Sequence, residues 1–144
     1  MFKLGKSSLD HLSQGKPDLQ AVINLAITYT RVDFSVVDVR RTLQEQRDNI
    51  ANGVSWTMDT RHFPDPDDNL AFAADIYPWH KGKTDHSEHL YNEIAKAMFR
   101  AAIELGVDLQ WGGFWKTPDK PHWQLSLKSY PKPTHKDTYW NLVS

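Results

Sequence analysis

One long amphipathic segment, residues 85–106, constrains the fold more than any other feature of the chain. Its apolar positions recur at intervals of four, four, three and four residues: Leu90, Ile94, Met98, Ala101 and Leu105. This spacing places them on one face of an α-helix, and the rest of the chain must cover that face. Asp85 and Glu88 form a capping-box signature, and Gly106 suits the position after the last helical turn. The segment therefore predicts a helix that packs on other elements.

Shorter patterns surround this helix. Helices are predicted over residues 8–12, from Pro17 to residue 27, and from the Thr42 and Glu45 capping signature to Asn52. The predicted strands cover residues 34–39, 71–77 (ended by Pro78), 107–111 and 122–127, and residues 55–69 are predicted to form a loop. Helices followed by strands and one long helix indicate an α+β fold, with a small antiparallel sheet and flanking helices. The sequence shows no repeat or linker, and we predict one domain over residues 1–144.

Composition excludes several classes of protein. The 17 basic and 18 acidic side chains leave a formal charge of −1, so binding of nucleic acid through clustered phosphate contacts is not expected. The chain has no cysteine, so any metal ligands must be histidines and carboxylates. Neither a membrane span nor the apolar core of a signal peptide is visible in the sequence. We therefore expect no membrane insertion and no signal peptide.

Two of the seven histidines lie where a carboxylate is a natural partner. Asp75 lies in an otherwise apolar predicted strand, where an unpaired carboxylate is costly to bury, so it needs a cation. His62 lies in the loop before that strand, and His122 follows Asp119 where a loop enters another strand. Two imidazoles and one carboxylate are a common ligand set for catalytic zinc, which keeps a fourth position for water. Composition alone does not single out these residues.

Several ordered motifs carry a resemblance to a known family. They are Thr60-Arg-His62, Ala71-Phe-Ala-Ala-Asp75, Trp111-Gly-Gly-Phe-Trp115 and Asp119-Lys-Pro-His122-Trp-Gln-Leu, preceded by Arg41-Thr-Leu-Gln-Glu-Gln46 and Gly53-Val-Ser55. This series resembles the zinc D-alanyl-D-alanine carboxypeptidases and dipeptidases. Within them it is most similar to the phage endolysins that are L-alanyl-D-glutamate peptidases. The resemblance covers roughly residues 34–127.

The resemblance implies a zinc site with His62, Asp75 and His122 as ligands and Asp119 as the catalytic acid and base. It implies that Arg41 polarises the scissile carbonyl or stabilises its oxyanion. It also implies the fold shared by hedgehog proteins and D-alanyl-D-alanine peptidases, and an enzyme that cuts the L-alanyl-D-glutamate bond of peptidoglycan. The alternatives are a D-alanyl-D-alanine carboxypeptidase or dipeptidase, and a zinc-bearing binding module without catalysis.

The sequence departs from the family pattern around the second ligand. Thr60 stands where the family has serine, Ala71 where it has glycine, and six extra residues separate His62 from Asp75. An insertion at residues 63–69 can loop out, because extra loop length costs little free energy. Nearer carboxylates are alternative ligands: Asp65, Asp67 and Asp68.

Other candidate residues also have two interpretations. Arg41 is alternatively a surface side chain that pairs with Glu45 or Asp38, and Gln46 is expected to support the site from a helix face. A second histidine cluster is expected to be solvated and not to bind a metal: His80, His86 and His89. Residues 65–69 resemble the start of a calcium loop without its glycine and closing glutamate, which leaves a weak regulatory cation site open.

The tryptophans divide into two groups. Trp56, Trp111 and Trp123 are expected in the core, whereas Trp79 and Trp115 are expected to wall a groove for glycan and peptide. Peptidoglycan is the expected partner, and we expect a monomer. The resemblance implies synthesis in the host cytoplasm and action on the cell wall, in the periplasm, at host lysis.

Overall fold

The computed structural model describes residues 1–53 and 60–132. The helices in this part of the chain are α1 (Lys6–Leu12), α2 (Pro17–Tyr29), α3 (Leu43–Ala51) and α4 (Glu88–Leu105). The strands are β1 (Asp33–Asp38), β2 (Ala73–His80), β3 (Lys83–Thr84), β4 (Leu109–Trp111) and β5 (His122–Leu125). A short 3-10 helix, Gly112–Phe114, follows β4. The predicted α+β class is confirmed.

The strands form one antiparallel sheet with the order β1-β2-β5-β4, and β3 pairs with the last residues of β2. Burial alternates along β2 and divides the sheet into two faces. Ala74 and Ile76 are buried, whereas Asp75 and Tyr77 are partly exposed and Trp79 is exposed. Helices α2 and α4 pack together and share the hydrophobic core with the buried face. The opposite face, which carries Asp75, Tyr77 and Trp79, is called the polar face below.

Local sequence explains where two of the helices begin and end. Thr42 and Glu45 form the predicted capping box of α3, and the Thr42 hydroxyl accepts the Glu45 N–H at 3.1 Å. Gly106 ends α4 as predicted, with a left-handed φ of 68° that glycine adopts without steric cost. These ends agree with the sequence patterns because capping depends on residues only a few positions apart.

Two expectations about β2 and α4 are wrong. Pro78 does not end β2, which continues for two more residues. Proline lacks an N–H, but the Pro78 carbonyl accepts the Asp85 N–H at 3.1 Å and keeps this part of the chain hydrogen-bonded. Asp85 does not cap α4, because its carboxylate accepts the N–H and the hydroxyl of Ser87, which is itself the N-cap. Glu88 pairs with Lys120 at 2.9 Å instead of closing a capping box.

Two of the tryptophans predicted for the core are found there. The rings of Trp111 and Trp123 stack with centroids 5.4 Å apart and an interplanar angle of 13°. The predictions that concern Ser55, Trp56 and the first part of the 55–69 loop lie outside the described residues. No described helix combines the length and the apolar character needed to cross a membrane.

Candidate metal centre

Three side chains from separate parts of the chain meet on the polar face. His62 precedes β2, Asp75 lies within β2 and His122 begins β5. Asp75 and His122 are direct partners in the antiparallel register, so their side chains share a face. Asp75 Oδ1 lies 3.4 Å from His62 Nε2 and 3.5 Å from His122 Nδ1. Among residues 1–53 and 60–132, this is the group of histidines and carboxylates close enough to hold a metal ion.

These separations fit a tetrahedral metal ion. Zinc lies about 2.0–2.2 Å from nitrogen and oxygen ligands, so two ligand atoms at the tetrahedral angle are about 3.3–3.5 Å apart. The observed distances of 3.4 and 3.5 Å fall at that separation. The three side chains therefore fit an ion that keeps a fourth position for water or substrate.

Hydrogen bonds on the far side of each imidazole orient the ligand atoms. His62 Nδ1–H donates to the Val39 carbonyl at 2.8 Å, which leaves Nε2 facing Asp75. His122 Nε2–H donates to Gln124 Oε1 at 2.8 Å, which leaves Nδ1 for a metal. Gln124 donates in turn to Gln110 Oε1 at 3.0 Å, and this bond holds its amide in the required orientation. Such outer partners select the tautomer and raise the basicity of a ligating histidine.

The two glutamines are not among the residues predicted from the sequence. A signal was present, because residues two apart on a strand share a face and Gln124 lies two positions after His122. Gln110 is the direct partner of Gln124 on the neighbouring strand β4, a pairing that only the sheet register reveals.

The charges of the three side chains favour a cation between them. Burial by itself would raise the pKa of Asp75, but the imidazoles of His62 and His122 outweigh it and hold that pKa well below its usual range. Burial by itself would lower the pKa of His62, but the Asp75 carboxylate outweighs it and raises that pKa. Positive charge is therefore stabilised at this point, whether a proton or a metal ion carries it.

Arg41 is buried beside the centre and is not a surface side chain. Its guanidinium pairs with Asp38, as the alternative interpretation expected, and donates to Gln46 Oε1 at 2.7 Å. Its Nη2 lies 3.7 Å from Asp75 Oδ2. Gln46 is fully buried and supports the guanidinium from α3. The structure thus brings Arg41 to the centre together with the three side chains.

Asp119 lies near the centre on the loop that precedes β5, where its carboxylate interacts electrostatically with all three side chains. Its N–H donates to the Gly112 carbonyl at 2.8 Å, and its carbonyl accepts the His122 N–H at 3.2 Å. The next carbonyl, of Lys120, accepts the indole N–H of Trp111 at 2.7 Å. Burial raises the pKa of the Asp119 carboxyl. The end of β4 therefore holds the backbone of this loop.

Gly112 allows the loop to come this close. A Cβ at position 112 would lie 2.4 Å from the Asp119 carbonyl oxygen and 3.2 Å from the Cβ atoms of Asp119 and His122. Gly113, in the same turn, is equally crowded, but there the neighbour is the Trp111 ring at 2.4 Å. Gly112 thus borders the centre, whereas Gly113 borders the core.

The substitution Gly112→Ala is expected to lower kcat by about ten- to a hundredfold, because the loop must shift by an ångström or so and carry Asp119 with it. The metal content is expected to stay near one ion per chain. Gly113→Ala is the matched control, since it should lower the melting temperature comparably while changing kcat less. Steady-state kinetics, metal analysis and thermal unfolding of both variants provide the measurement. A wild-type kcat in Gly112→Ala would contradict the role of this close approach.

Comparison with known proteins identifies the family of enzymes that this chain resembles. The family model described as phage L-alanyl-D-glutamate peptidase matches residues 1–133. The chain belongs to this family. The L-alanyl-D-glutamate peptidase of Escherichia phage T5 is 32% identical over 133 residues, which cover 90% of this chain and 93% of that protein. The crystal structure of the Serratia marcescens L-Ala D-Glu endopeptidase ChiX matches with a TM-score of 0.80 and 36% identity, covering 90% of this chain and 95% of that one.

The family match and the structural neighbour confirm the resemblance carried by the sequence motifs. They also confirm the fold and the enzyme class that the resemblance implied. The match extends to α1 and α2, beyond the residues 34–127 on which the resemblance rested. The chain is therefore a peptidoglycan peptidase. The comparisons do not favour the D-alanine carboxypeptidase or a module without catalysis.

The insertion in this peptidase loops out, and its carboxylates lie elsewhere. A β-bridge between Pro64 and Ala71 closes the ends of the insertion. Asp65 and Asp68 each pair with Lys16 at 2.8 Å. None of the three alternative carboxylates belongs to the group close enough to hold a metal within the described chain.

The second histidine cluster forms no metal-binding group in the part of the chain that the structure describes. The Tyr91 hydroxyl lies 2.6 Å from His86 Nδ1, and the His86 ring packs edge-on against Tyr77 at 4.8 Å. Burial raises the pKa of Tyr91 to about 12, so its hydroxyl stays protonated. These rings support Tyr77 on the polar face.

Proposed function

We propose that this peptidase is zinc-dependent and hydrolyses the amide bond between L-alanine and D-glutamate in the stem peptide of peptidoglycan. The single observation that carries the proposal is the spacing of the candidate ligands. His62 Nε2 and His122 Nδ1 lie 3.4 and 3.5 Å from Asp75 Oδ1, which is the separation of ligand atoms around tetrahedral zinc. Two imidazoles with one carboxylate suit zinc, whereas magnesium and calcium prefer oxygen ligands alone.

Each residue has a proposed role at the scissile bond. A zinc ion held by His62, Asp75 and His122 would supply Lewis-acid polarisation of the carbonyl and lower the pKa of water. Asp119 accepts a proton from the attacking water and passes it to the departing amine of D-glutamate. Its raised pKa suits a carboxyl that must take up a proton and then release it. Arg41, buried beside Asp75, stabilises the negative charge that develops on the carbonyl oxygen.

The surroundings of the centre support an endopeptidase. A D-alanine carboxypeptidase needs a cation for the terminal carboxylate, and the bidentate fork of arginine serves best. The nearby Lys120 is a single ammonium that already pairs with Glu88 at 2.9 Å, so it offers no such fork. The Trp115 ring lies 5.0 Å from the His122 ring and forms an apolar wall at the centre. These features suit a peptide that continues past the site in both directions.

Digestion of purified sacculi tests the bond and the metal together. We expect new N-terminal D-glutamate, clearing of turbidity, loss of activity after treatment with a chelator, and recovery with zinc but not with magnesium or calcium. Protein with Asp119→Asn serves as the blank. Release of free D-alanine from sacculi whose L-alanyl-D-glutamate bonds stay intact would show a carboxypeptidase instead.

We further propose that the enzyme acts as a monomer on the cell wall after synthesis in the host cytoplasm. Its substrate lies outside the cytoplasmic membrane, so this setting requires release or passage of the enzyme at lysis. Sedimentation of the purified protein tests the monomer, and fractionation of infected cells before and after lysis tests the location.

A further inference from the structure

The polar face continues from the metal centre along β2 to an exposed indole. Asp75, Tyr77 and Trp79 point to this face in turn, while the residues between them are buried. Tyr77 is supported from the side by His86. Trp79 keeps 42% of its surface exposed. An exposed indole on the face that leads away from a reaction centre is a natural platform for a ligand.

Two polar side chains flank Trp79 on the neighbouring strands. Asp33 on β1 and Thr84 on β3 are its direct partners in register. Directly paired residues have Cβ atoms about 4.5–5.5 Å apart, so a carboxylate and a hydroxyl lie on either side of the indole. Asp33 Oδ1 accepts the Phe34 N–H at 2.8 Å, which orients the carboxylate. This arrangement suits a sugar ring, whose C–H face stacks on an aromatic ring while its hydroxyls bond to polar neighbours.

The distance along β2 matches the covalent structure of the substrate. Trp79 is four residues from Asp75, and strand geometry separates the two by about 13 Å. In peptidoglycan, L-alanine is joined through a lactyl group to muramic acid. L-alanine and the lactyl group are each about one residue long, and together they span about 7 Å from the scissile carbonyl. The first sugar ring therefore begins about 7 Å from the reacting bond, and the glycan extends beyond about 12 Å. A stem peptide that lies along β2, with its L-alanine end toward Trp79, would therefore bring its sugar to that indole.

The other exposed tryptophan is too close to the centre for this role. The Trp115 ring lies 5.0 Å from the ring of His122, so it borders the metal centre itself. The two tryptophans predicted to wall one groove would thus face different parts of the substrate.

We propose that Trp79, with Asp33 and Thr84, forms a saccharide subsite that binds the muramic acid end of the glycan-linked stem peptide. This inference rests on the proposed function, because it uses the position of the scissile bond at the metal centre. The subsite also sets the direction in which the stem peptide binds. The glycan lies over the end of β2, and the D-glutamate end of the peptide extends past Trp115.

The test compares two substrates of the same peptide sequence. One is a disaccharide muropeptide, and the other is the N-acetylated stem peptide without sugars. Wild-type enzyme is expected to show the higher kcat/KM on the muropeptide. Trp79→Ala should lower the ratio of the two kcat/KM values by roughly three- to tenfold, the worth of one aromatic stacking contact. Trp79→Phe should keep most of the ratio.

Two further variants make the result decisive. Ile103→Ala is the control, because it removes an exposed apolar side chain from α4 and not from the polar face. It should leave kcat/KM unchanged on both substrates. Thr84→Val changes an exposed residue at the same subsite and should lower the ratio by about two- to threefold even where Trp79→Ala folds poorly.

The outcomes separate the subsite from the proposed function. If wild-type enzyme cuts neither substrate between L-alanine and D-glutamate, the proposed function fails. If it cuts both with equal kcat/KM, or if Trp79→Ala and Thr84→Val keep the wild-type ratio, the saccharide subsite alone is wrong.

Discussion

Replacement of His62 by alanine is expected to remove the metal, abolish turnover and lower the melting temperature. His62 is 2% exposed and is one of three side chains close enough to hold a metal ion, so its loss leaves two candidate ligands and an unfilled buried space. Changes to outer partners of metal ligands already cost about ten- to a hundredfold, so activity should fall below about 1% of wild type. A metal present at a thousandfold its Kd stabilises the folded state by about 4 kcal/mol, and that stabilisation should disappear.

Metal analysis, calorimetry with and without chelator, and the sacculus assay measure these effects. His122→Ala should behave in the same way, and His89→Ala on the exposed start of α4 is the matched control that should keep metal and activity. Wild-type metal content in both His62→Ala and His122→Ala would overturn the ligand set. Loss of metal in these two variants with full retention in Asp75→Ala would show that Asp75 is not the carboxylate ligand.

Substitution of Asp119 by asparagine should lower kcat by about 10²–10⁴ while the metal stays bound. The asparagine amide keeps the size of the carboxylate but cannot carry a proton from water to the departing amine. Because the backbone of residue 119 is held by Gly112 and His122, the loop should keep its conformation. The loss should therefore appear in kcat, with KM changing little.

Steady-state kinetics on the sugar-free stem peptide, together with metal content and melting temperature, give the measurement. Asp10→Asn, an exposed carboxylate on α1, controls for the loss of one negative charge. A zinc-replete Asp119→Asn enzyme with near-wild-type kcat would show that another group handles the proton.

Local sequence patterns predicted the elements that depend on nearby residues. The period of the apolar residues predicted α4 and its end at Gly106, and the Thr42 capping signature predicted the start of α3. The composition limited any metal site to histidine and carboxylate. The identities of His62, Asp75 and His122 came from ordered motifs that resemble a family, because spacing alone does not distinguish them from the carboxylates at residues 65–68.

Where the sequence misled, another residue competed for the same atoms. Asp85 and Glu88 satisfy the capping pattern, but Ser87 and Lys120 take their carboxylates. Pro78 usually ends a strand, but hydrogen bonding of its carbonyl to Asp85 lets β2 continue. The pairing of Glu88 with Lys120 depends on which segments fold next to each other, and a local pattern contains no information about it.

The sequence by itself determined the helices with strong periodicity and the residue types able to bind a metal. Only the tertiary structure decided how they act together. The register of β2 on β5 sets Asp75 beside His122, and the Val39 carbonyl and Gln124 select the nitrogen that each imidazole presents. The physical reason is the range of the interactions. Helix periodicity operates within one segment, whereas metal ligation requires atoms from three separate segments to lie within about 0.2 Å of their ideal distances.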